Sequence, residues 1–374
     1  MRILIDARFY GTENTGLGRY SINLIKELQK IDNKNRYFIL LREKYFKKLK
    51  LRSNWEKVLA EVPHYSIREQ IEIPRIIKKY NPDLTHFLHF NVPINFKDKF
   101  VVTIHDMTMH NKKTSSSNLL LPIYLAKHQA YKKVFKHAVV KSQRVIVPSE
   151  YVRNEITSYF KIPKEKVTVI YEGLETIPVK NYSTKKDNNE LYFLYVGNTF
   201  PHKNLESAIK AIVSINQKTN QRILFYIISS LNKFTIRLKK KLSKLDAQDL
   251  VKLTGFVPDE KLVKLYENSV GFIYPSLSEG FGLPGLEAMN AGTILLASDI
   301  PVFREVYGNH AIYFDPRNVN SIEKAIKKTL SLKKVEAAKM IKENKKFIKR
   351  YSWPKMAKET LDVYTSINEG GHRL

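Results

Sequence analysis

Two carboxylates lie eight positions apart, Glu279 and Glu287, and a glycine-rich run separates them. Gly280 permits a tight turn, and Pro284 suits the first turn of a helix. Three backbone N–H groups near that helix start would face an anion or sugar hydroxyls, those of Phe281, Gly282 and Leu283. The spacing predicts that the two acids hold different hydroxyl-bearing parts of one ligand. The alternative is a pair of surface acids that cap a helix.

A lysine follows the predicted strand 191–196, in the segment 197–204 that reads GNTFPHKN. Lys203 stands close to the start of the next predicted helix. A lysine in that position can neutralise a diphosphate as a point charge. A solvated lysine at a helix start is the alternative.

Two further candidates lie in the first half of the chain. Gly16 and Gly18 come after the first strand, where glycines let backbone N–H groups approach a phosphate or a sugar. The dinucleotide fingerprint requires a third glycine, and Ser21 occupies its place. His105 and Asp106 directly follow the strand Phe100–Ile104, and a histidine there can donate to a hydroxyl or move a proton. A flexible turn, a loop histidine and a capping aspartate are the alternatives.

The elements that must position these residues alternate between short apolar strands and helices. This pattern is typical of a parallel sheet covered on both faces, and it restarts near residue 190. We predict an α/β fold with two Rossmann-like, doubly wound domains that face a central cleft. The predicted bounds are 1–178 for the first domain, 179–189 for a linker and 190–352 for the second domain. A C-terminal helix, about 353–374, would pack back onto the first domain.

Composition excludes several classes of protein. The 374 residues contain no cysteine, which rules out disulfide scaffolds, thiolate zinc sites and cysteine nucleophiles. Asp6 and Arg8 interrupt the apolar N-terminus, and no apolar stretch reaches the roughly 18 residues that a spanning helix needs. We therefore expect a soluble, cytoplasmic protein. The net charge of +28 favours anionic partners, but it is spread over both halves of the chain.

The complete set of motifs resembles the retaining glycosyltransferases of family 4, which have the GT-B fold. The E-x7-E pattern of Glu279 and Glu287 encloses F-G-L-P, and further matches fall in the expected order along nearly the whole chain. They are GLGRY at 16–20, HD at 105–106, VPSEYVRNEI at 147–156, VGNTFPHKNL at 196–205, LTGFV at 253–257 and YSWPKMAKETLDVY near the end. The resemblance implies sugar transfer from a nucleotide diphosphate with retention, no required metal and no cofactor.

The resemblance also implies roles for individual residues. Lys203 would bind the diphosphate, Glu279 the sugar hydroxyls and Glu287 the ribose. His105 would contact the transferred sugar at the reaction centre. Other positions would line the donor site, namely Gly16, Gly18, Gly255, Phe256 and Val257. Many relatives carry an arginine where this chain has Asn198, so the donor contact from that position is open.

The motifs PHKNL and GLGRY look most like those of bacterial mannosyltransferases of surface-polysaccharide assembly. This likeness favours GDP-mannose as the donor and a glycan, or a polyprenyl-diphosphate-linked glycan, as the acceptor. A UDP-sugar donor is the alternative within the family. A nicotinamide-dependent oxidoreductase would leave the E-x7-E pattern unexplained. A nucleic-acid-binding protein would need clustered arginines and stacking aromatics, whereas the charge here is dispersed.

The segment from Met107 to Ser149 contains no acidic residue but eight basic ones. Its predicted helix, 118–140, interleaves lysines with apolar residues, the lysines being Lys127, Lys132, Lys133 and Lys136. Such a helix suits docking to anionic headgroups and to a lipid diphosphate. We therefore predict peripheral association with the inner face of the cell membrane. An ordinary amphipathic helix with its apolar face in the core is the alternative.

Overall fold

A computed structural model describes residues 1–110, 121–174 and 190–369. The chain divides into two compact units, Met1–Gly173 together with Tyr351–Leu374, and Leu174–Arg350. The predicted linker 179–189 lies outside the described residues, as do the last five residues of the predicted C-terminal segment.

Within the described residues, thirteen strands form two parallel sheets, one in each unit. Most strands are short apolar runs buried on both faces, as is typical of parallel sheets. The strands of the first sheet are β1 (Arg2–Asp6), β2 (Arg36–Leu41), β3 (Trp55–Leu59), β4 (Leu84–Phe87), β5 (Phe100–Thr103), β6 (Arg144–Val147) and β7 (Val167–Val169). Those of the second are β8 (Leu191–Val196), β9 (Ile223–Ile228), β10 (Val251–Thr254), β11 (Gly271–Tyr274), β12 (Leu295–Ser298) and β13 (Ile312–Phe314).

Helices connect these strands. The described α-helices are α1 (Thr15–Ile31), α2 (Glu43–Phe46), α3 (Ile67–Tyr80), α4 (Leu121–Lys141), α5 (Glu150–Phe160), α6 (Leu205–Lys218), α7 (Lys233–Leu242), α8 (Asp259–Asn268), α9 (Leu283–Asn290), α10 (Pro301–Tyr307), α11 (Val319–Leu330), α12 (Lys334–Phe347) and α13 (Trp353–Glu369). The last helix belongs to the first unit and packs against α1. It buries Trp353, Met356 and Tyr364 there.

The strand order places one switch point in each sheet. It is β3-β2-β1-β4-β5-β6-β7 in the first sheet and β10-β9-β8-β11-β12-β13 in the second. The order therefore reverses between β1 and β4, and again between β8 and β11. Ligands of doubly wound sheets bind outside the carboxyl ends of the strands at such points. Two Rossmann-like parallel sheets confirm the predicted α/β fold class.

The sequence misses two strands, β3 and β13, and both lie at the edge of a sheet. Glu56 and Lys57 interrupt the apolar pattern of β3, and an edge strand tolerates them because it is only partly covered. The short helices α2 and α10 are missed as well. Pro74 does not interrupt α3, which runs on to Tyr80. Strand β12 begins only at Leu295, because the Thr293 N–H donates to the Ala288 carbonyl at 2.9 Å and so closes the preceding turn.

Candidate functional site

The switch point of the second sheet carries the two charged residues that the motifs single out. The segment after β8 leads through a short helical turn, Pro201–Lys203, and the segment after β11 leads to Glu279. Lys203 Nζ lies 2.5 Å from Glu279 Oε1. The Leu277 N–H donates to the His202 carbonyl at 2.8 Å and ties the two segments together. The fold thereby joins residues that are 76 positions apart into one ion pair.

Both side chains of this pair are largely covered, with 11 % of Lys203 and 12 % of Glu279 exposed. Burial by itself raises the pKa of Glu279. The positive charges of Lys203 and His202 outweigh that effect, so the pKa of Glu279 lies below its ordinary value. Lys203 Nζ also lies 5.8 Å from the centre of the Tyr274 ring. The ammonium group is thus held in one place instead of sampling solvent.

Packing explains part of the glycine-rich run. Gly282 has a φ of +109° at the start of α9, a conformation that favours glycine. A Cβ on Gly282 or on Gly285 would overlap the Tyr307 hydroxyl. That hydroxyl donates to the Gly282 carbonyl at 2.6 Å. Phe281 and Leu283 bury their side chains, which leaves only their backbones to meet a ligand.

The other predicted donor residues of the second unit lie after strands β8 and β10 or on α9. Asn198 follows β8 and its Oδ1 accepts from the Phe200 N–H at 3.4 Å. Phe256 follows β10 with 78 % of its surface exposed, and Val257 is half-buried. A Cβ on Gly255 would meet no described atom within 4 Å, so the fold does not require glycine there. Glu287 is half-buried on α9. Their contacts with a donor stay predictions.

In the first unit, His105 lies at the carboxyl end of β5. Its Nδ1 lies 3.3 Å from Glu172 Oε1, and its Nε2 lies 3.1 Å from the Leu88 carbonyl oxygen. The Tyr20 ring stands edge-on to the imidazole, with the ring centres 4.8 Å apart. Tyr20 is the last residue of the GLGRY motif, so the first unit brings that motif and HD together. Asp106 is exposed, and its Oδ1 accepts from the Thr108 N–H at 2.7 Å.

The two glycines of GLGRY differ in what the fold demands of them. A Cβ on Gly18 would overlap the Gly11 carbonyl oxygen, so Gly18 is required by packing. Gly16 is exposed in the first turn of α1, and a Cβ there would meet no described atom within 4 Å. Since glycine weakens a helix, its presence at position 16 calls for a reason outside the fold. Close approach of a ligand to the backbone is one such reason.

A buried charge network at the end of β1 was not predicted. Arg8 donates from Nε to Asp6 at 2.8 Å and from Nη2 to Asp6 and Glu69, at 2.7 and 2.8 Å. Burial raises the pKa of Asp6, but the charge of Arg8 outweighs it and the pKa is lowered. A polar residue at the carboxyl end of an apolar strand is the sequence feature that made His105 a candidate. Asp6 and Arg8 share this feature, so the same criterion predicts them as candidates. Glu172, in the segment after β7, has a similar position, whereas Glu69 lies within α3 and has no such signal.

His86 is a structural histidine, as its position on a strand suggests. It is fully buried, with Nδ1 2.6 Å from the Tyr364 hydroxyl and Nε2 2.8 Å from Thr103 Oγ1. Burial, and secondarily the charge of His105, lower the pKa of His86 to about 3, so the ring is neutral. The same two causes lower the pKa of His89 to about 3.

Helix α4 only partly matches the predicted membrane-facing helix. Lys127, Lys133 and Lys136 are exposed, and Lys132 is half-buried. Phe135 lies in the core, and Tyr131 and Val134 pack against it. That face of α4 covers the sheet, as in the alternative of an ordinary amphipathic helix, and docking to a membrane stays a prediction. Leu125 is 50 % exposed. Lys112, Lys113, Leu119 and Leu120 lie outside the described residues, and the side chains of Leu121, Ile123 and Tyr124 are not described.

Two kinds of feature are absent from the described parts of the chain. None of their helices combines the length and the apolarity needed to cross a bilayer. Among the same residues, no three His, Asp or Glu side chains converge as metal ligands do. A reaction without a metal or cofactor stays a prediction.

Comparisons with known proteins agree with this arrangement. Residues 14–176 match the family model described as Glycosyltransferase Family 4, and residues 178–347 match Glycosyl transferases group 1. The chain is 28 % identical over 337 residues to the O-antigen chain mannosyltransferase RfbU of Salmonella typhimurium, covering 87 % of this chain and 90 % of that protein. It is 25 % identical over 383 residues to the O-antigen chain mannosyltransferase B of Escherichia coli, covering 94 % and 96 %.

Sucrose-phosphate synthase from Thermosynechococcus elongatus superimposes with a TM-score of 0.78 at 16 % identity, covering 99 % of this chain and 100 % of that one. The two parallel-sheet units are thus those of a glycosyltransferase with the GT-B fold. The chain belongs to glycosyltransferase family 4. This confirms the predicted glycosyltransferase in preference to a nicotinamide-dependent oxidoreductase.

Proposed function

We propose that this glycosyltransferase transfers mannose from GDP-mannose, with retention and without a metal, to a glycan or to a lipid-linked glycan. The observation that carries the proposal is the Lys203–Glu279 pair at the switch point of the second sheet. Two relatives that bear the name O-antigen chain mannosyltransferase support mannose as the sugar.

The chemistry asks for two kinds of stabilisation. The leaving nucleoside diphosphate gains negative charge, while the sugar becomes oxocarbenium-like. Lys203 supplies a fixed positive charge for the diphosphate, and the N-terminus of α9 adds its dipole. Glu279 accepts hydrogen bonds from sugar hydroxyls once the ammonium turns toward the diphosphate. In the first unit His105 contacts the transferred sugar.

Positions further from the reacting carbon bind the nucleoside. Phe256 offers an exposed ring to a base, and the open space at Gly255 lets the base approach the backbone. Glu287, eight residues after Glu279, accepts from the ribose hydroxyls. Gly16 allows the donor to approach the start of α1.

A donor panel tests the proposal. The purified protein would be incubated with a glycan acceptor and with GDP-mannose, UDP-glucose or UDP-galactose, with and without EDTA, and the released nucleoside diphosphate would be measured. We expect release from GDP-mannose in the presence of EDTA, and an α-linked product by NMR. Lys203→Ala should slow this release strongly, whereas the matched control Lys218→Ala should not, because Lys218 pairs with Glu323 on another face. A preference for a UDP-sugar, or dependence on a metal, would contradict the proposal.

We also propose that the first unit docks on an anionic membrane surface. Three exposed lysines on α4 support this, as does the absence of acidic residues from 107 to 149. Large apolar side chains near the carboxyl end of the first sheet add to it, namely those of Tyr65, Ile67 and Met109, which are 64 %, 81 % and 59 % exposed. Lysine attraction to acidic headgroups combined with apolar insertion is how peripheral proteins bind such surfaces.

Co-sedimentation with liposomes tests the docking. We expect binding to vesicles of phosphatidylglycerol that weakens at high salt, and no binding to phosphatidylcholine alone. Reversal of the α4 lysines to glutamate, at Lys127, Lys132, Lys133 and Lys136, should abolish binding. The matched control reverses four exposed lysines of α12, Lys334, Lys339, Lys342 and Lys346. Equal binding by both variants would refute the docking surface.

A further inference from the structure

Glu172 is a buried acid in the segment that follows β7, with 7 % of its surface exposed. It lies outside the motifs on which the family resemblance rests. Its Oε1 lies 3.3 Å from Nδ1 of His105, which belongs to the strand end two positions away in the sheet. On the opposite side of the ring, His105 Nε2 lies 3.1 Å from the Leu88 carbonyl oxygen. The imidazole is therefore clamped between two oxygens from two different loops.

Neither of these oxygens can donate a proton when Glu172 is ionised. A carbonyl and a carboxylate accept hydrogen bonds only, so each contact requires an N–H on the ring. A ring that makes both contacts carries N–H groups on Nδ1 and Nε2, and it is positively charged. Glu172 supplies the compensating negative charge, and its burial makes this pairing important, because a buried carboxylate without a partner is strongly disfavoured.

The other described groups around the His105 ring do not supply its negatively charged partner. Tyr20 of α1 presents its ring edge-on, at 4.8 Å between centres. His86 on β4 and His89 after it have pKa values lowered to about 3, by burial and by the charge of His105, so they are neutral. Glu172 is thus the acid that faces His105 among the described contacts.

We infer that Glu172 is a positioning residue, which holds the His105 imidazole in one orientation, with N–H on both nitrogens, at the carboxyl end of β5. The catalytic consequence rests on the proposed function, in which His105 contacts the transferred sugar. A ring held at both nitrogens presents the same face to each sugar, whereas a ring that has lost its contact with Glu172 would be free to rotate. Glu172 acts through His105 and does not touch the sugar.

Two measurements on the full chain test the inference. The first is the ¹⁵N spectrum of the histidine rings at pH 7, with His105 assigned by comparison with His105→Gln. We expect both ring nitrogens of His105 to be protonated in the parent protein. In Glu172→Gln, Nδ1 should shift toward the unprotonated range, while Glu172→Asp, which keeps the charge, should retain part of the parent signal. This measurement needs no sugar donor, so it decides the positioning even if the proposed transfer activity is absent.

The second measurement is a double-mutant cycle on sugar transfer. We expect Glu172→Gln to lower kcat about 10- to 100-fold with little change in the donor KM, by analogy with carboxylates that orient metal-bound histidines. In a His105→Ala background the same substitution should have almost no further effect. Glu323→Gln is the matched control, since Glu323 is a buried acid paired with Lys218 in the second unit. Unchanged ring resonances in Glu172→Gln, or full additivity in the cycle, would overturn the inference.

Discussion

Removal of the Lys203 ammonium is the perturbation for which the structure makes the most specific prediction. In Lys203→Ala the carboxylate of Glu279 stays buried, with only 12 % of the side chain exposed in the parent protein, but it loses the ammonium group that lies 2.5 Å away. Breaking a buried ion pair from one side costs about 3–5 kcal/mol, because the remaining charge is left without a partner. In a unit of this size that corresponds to a fall in Tm of roughly 10 °C.

The pH dependence of this loss follows from the pKa of Glu279. In the parent protein that pKa is lowered, so the pair stabilises the fold above the ordinary carboxyl pKa, and the stabilisation is lost as pH falls through the lowered value. In Lys203→Ala the largest cause that opposes the effect of burial is removed, and the pKa of Glu279 should rise. The loss of folding stability in the variant, relative to the parent protein, should therefore be largest at neutral pH. It should become smaller in acid, where Glu279 becomes protonated.

Thermal unfolding by circular dichroism at pH 7.5 and pH 5.0 measures the deficit, and nucleoside diphosphate release measures turnover. Turnover should fall roughly 30- to 1,000-fold, which corresponds to about 2–4 kcal/mol of lost electrostatic stabilisation. The double variant Lys203→Ala/Glu279→Gln should recover most of the stability but none of the activity. The reasoning is refuted if Lys203→Ala melts like the parent at pH 7.5, or if the double variant is no more stable than the single one.

Three further outcomes are expected. Gly16→Ala should melt at or slightly above the parent temperature, since alanine favours helix by about 0.5–1 kcal/mol, but it should lose donor turnover. Gly18→Ala should instead lower Tm, because its methyl group would overlap the Gly11 carbonyl. Unimpaired turnover by Gly16→Ala would remove Gly16 from the donor site. Glu287→Ala should raise the donor KM more than it lowers kcat, as steady-state kinetics would report. A chain ending at Arg350 lacks α13 and the Tyr364 partner of His86, so it should aggregate or melt early, and a stable, active truncation would count against that packing.

The strands and helices were largely predictable because their signal is local. A strand buried on both faces is a continuous apolar run, as in Ile3–Ile5 and 223–228, and such runs are visible in the chain itself. The edge strands β3 and β13 were not predicted, because a strand at the edge of a sheet need not be a continuous apolar run. The two interpretations of α4, a membrane-facing helix and an ordinary amphipathic helix, stayed open in the sequence for a similar reason, because Phe135 is apolar whether it faces lipid or the sheet.

The candidate site divides in the same way. The positions of Lys203, Glu279 and His105 at strand ends, which make them candidates, are evident from the chain alone, because a turn after an apolar strand is a local feature. Which of these residues meet depends on the strand order of each sheet. The switch point brings Lys203 to Glu279, and the order of the first sheet brings Glu172 to His105 across 67 positions. The tertiary structure also distinguishes the two glycines of GLGRY. Packing requires glycine at position 18, where a Cβ would overlap the Gly11 carbonyl, but not at position 16, where a Cβ would meet no described atom.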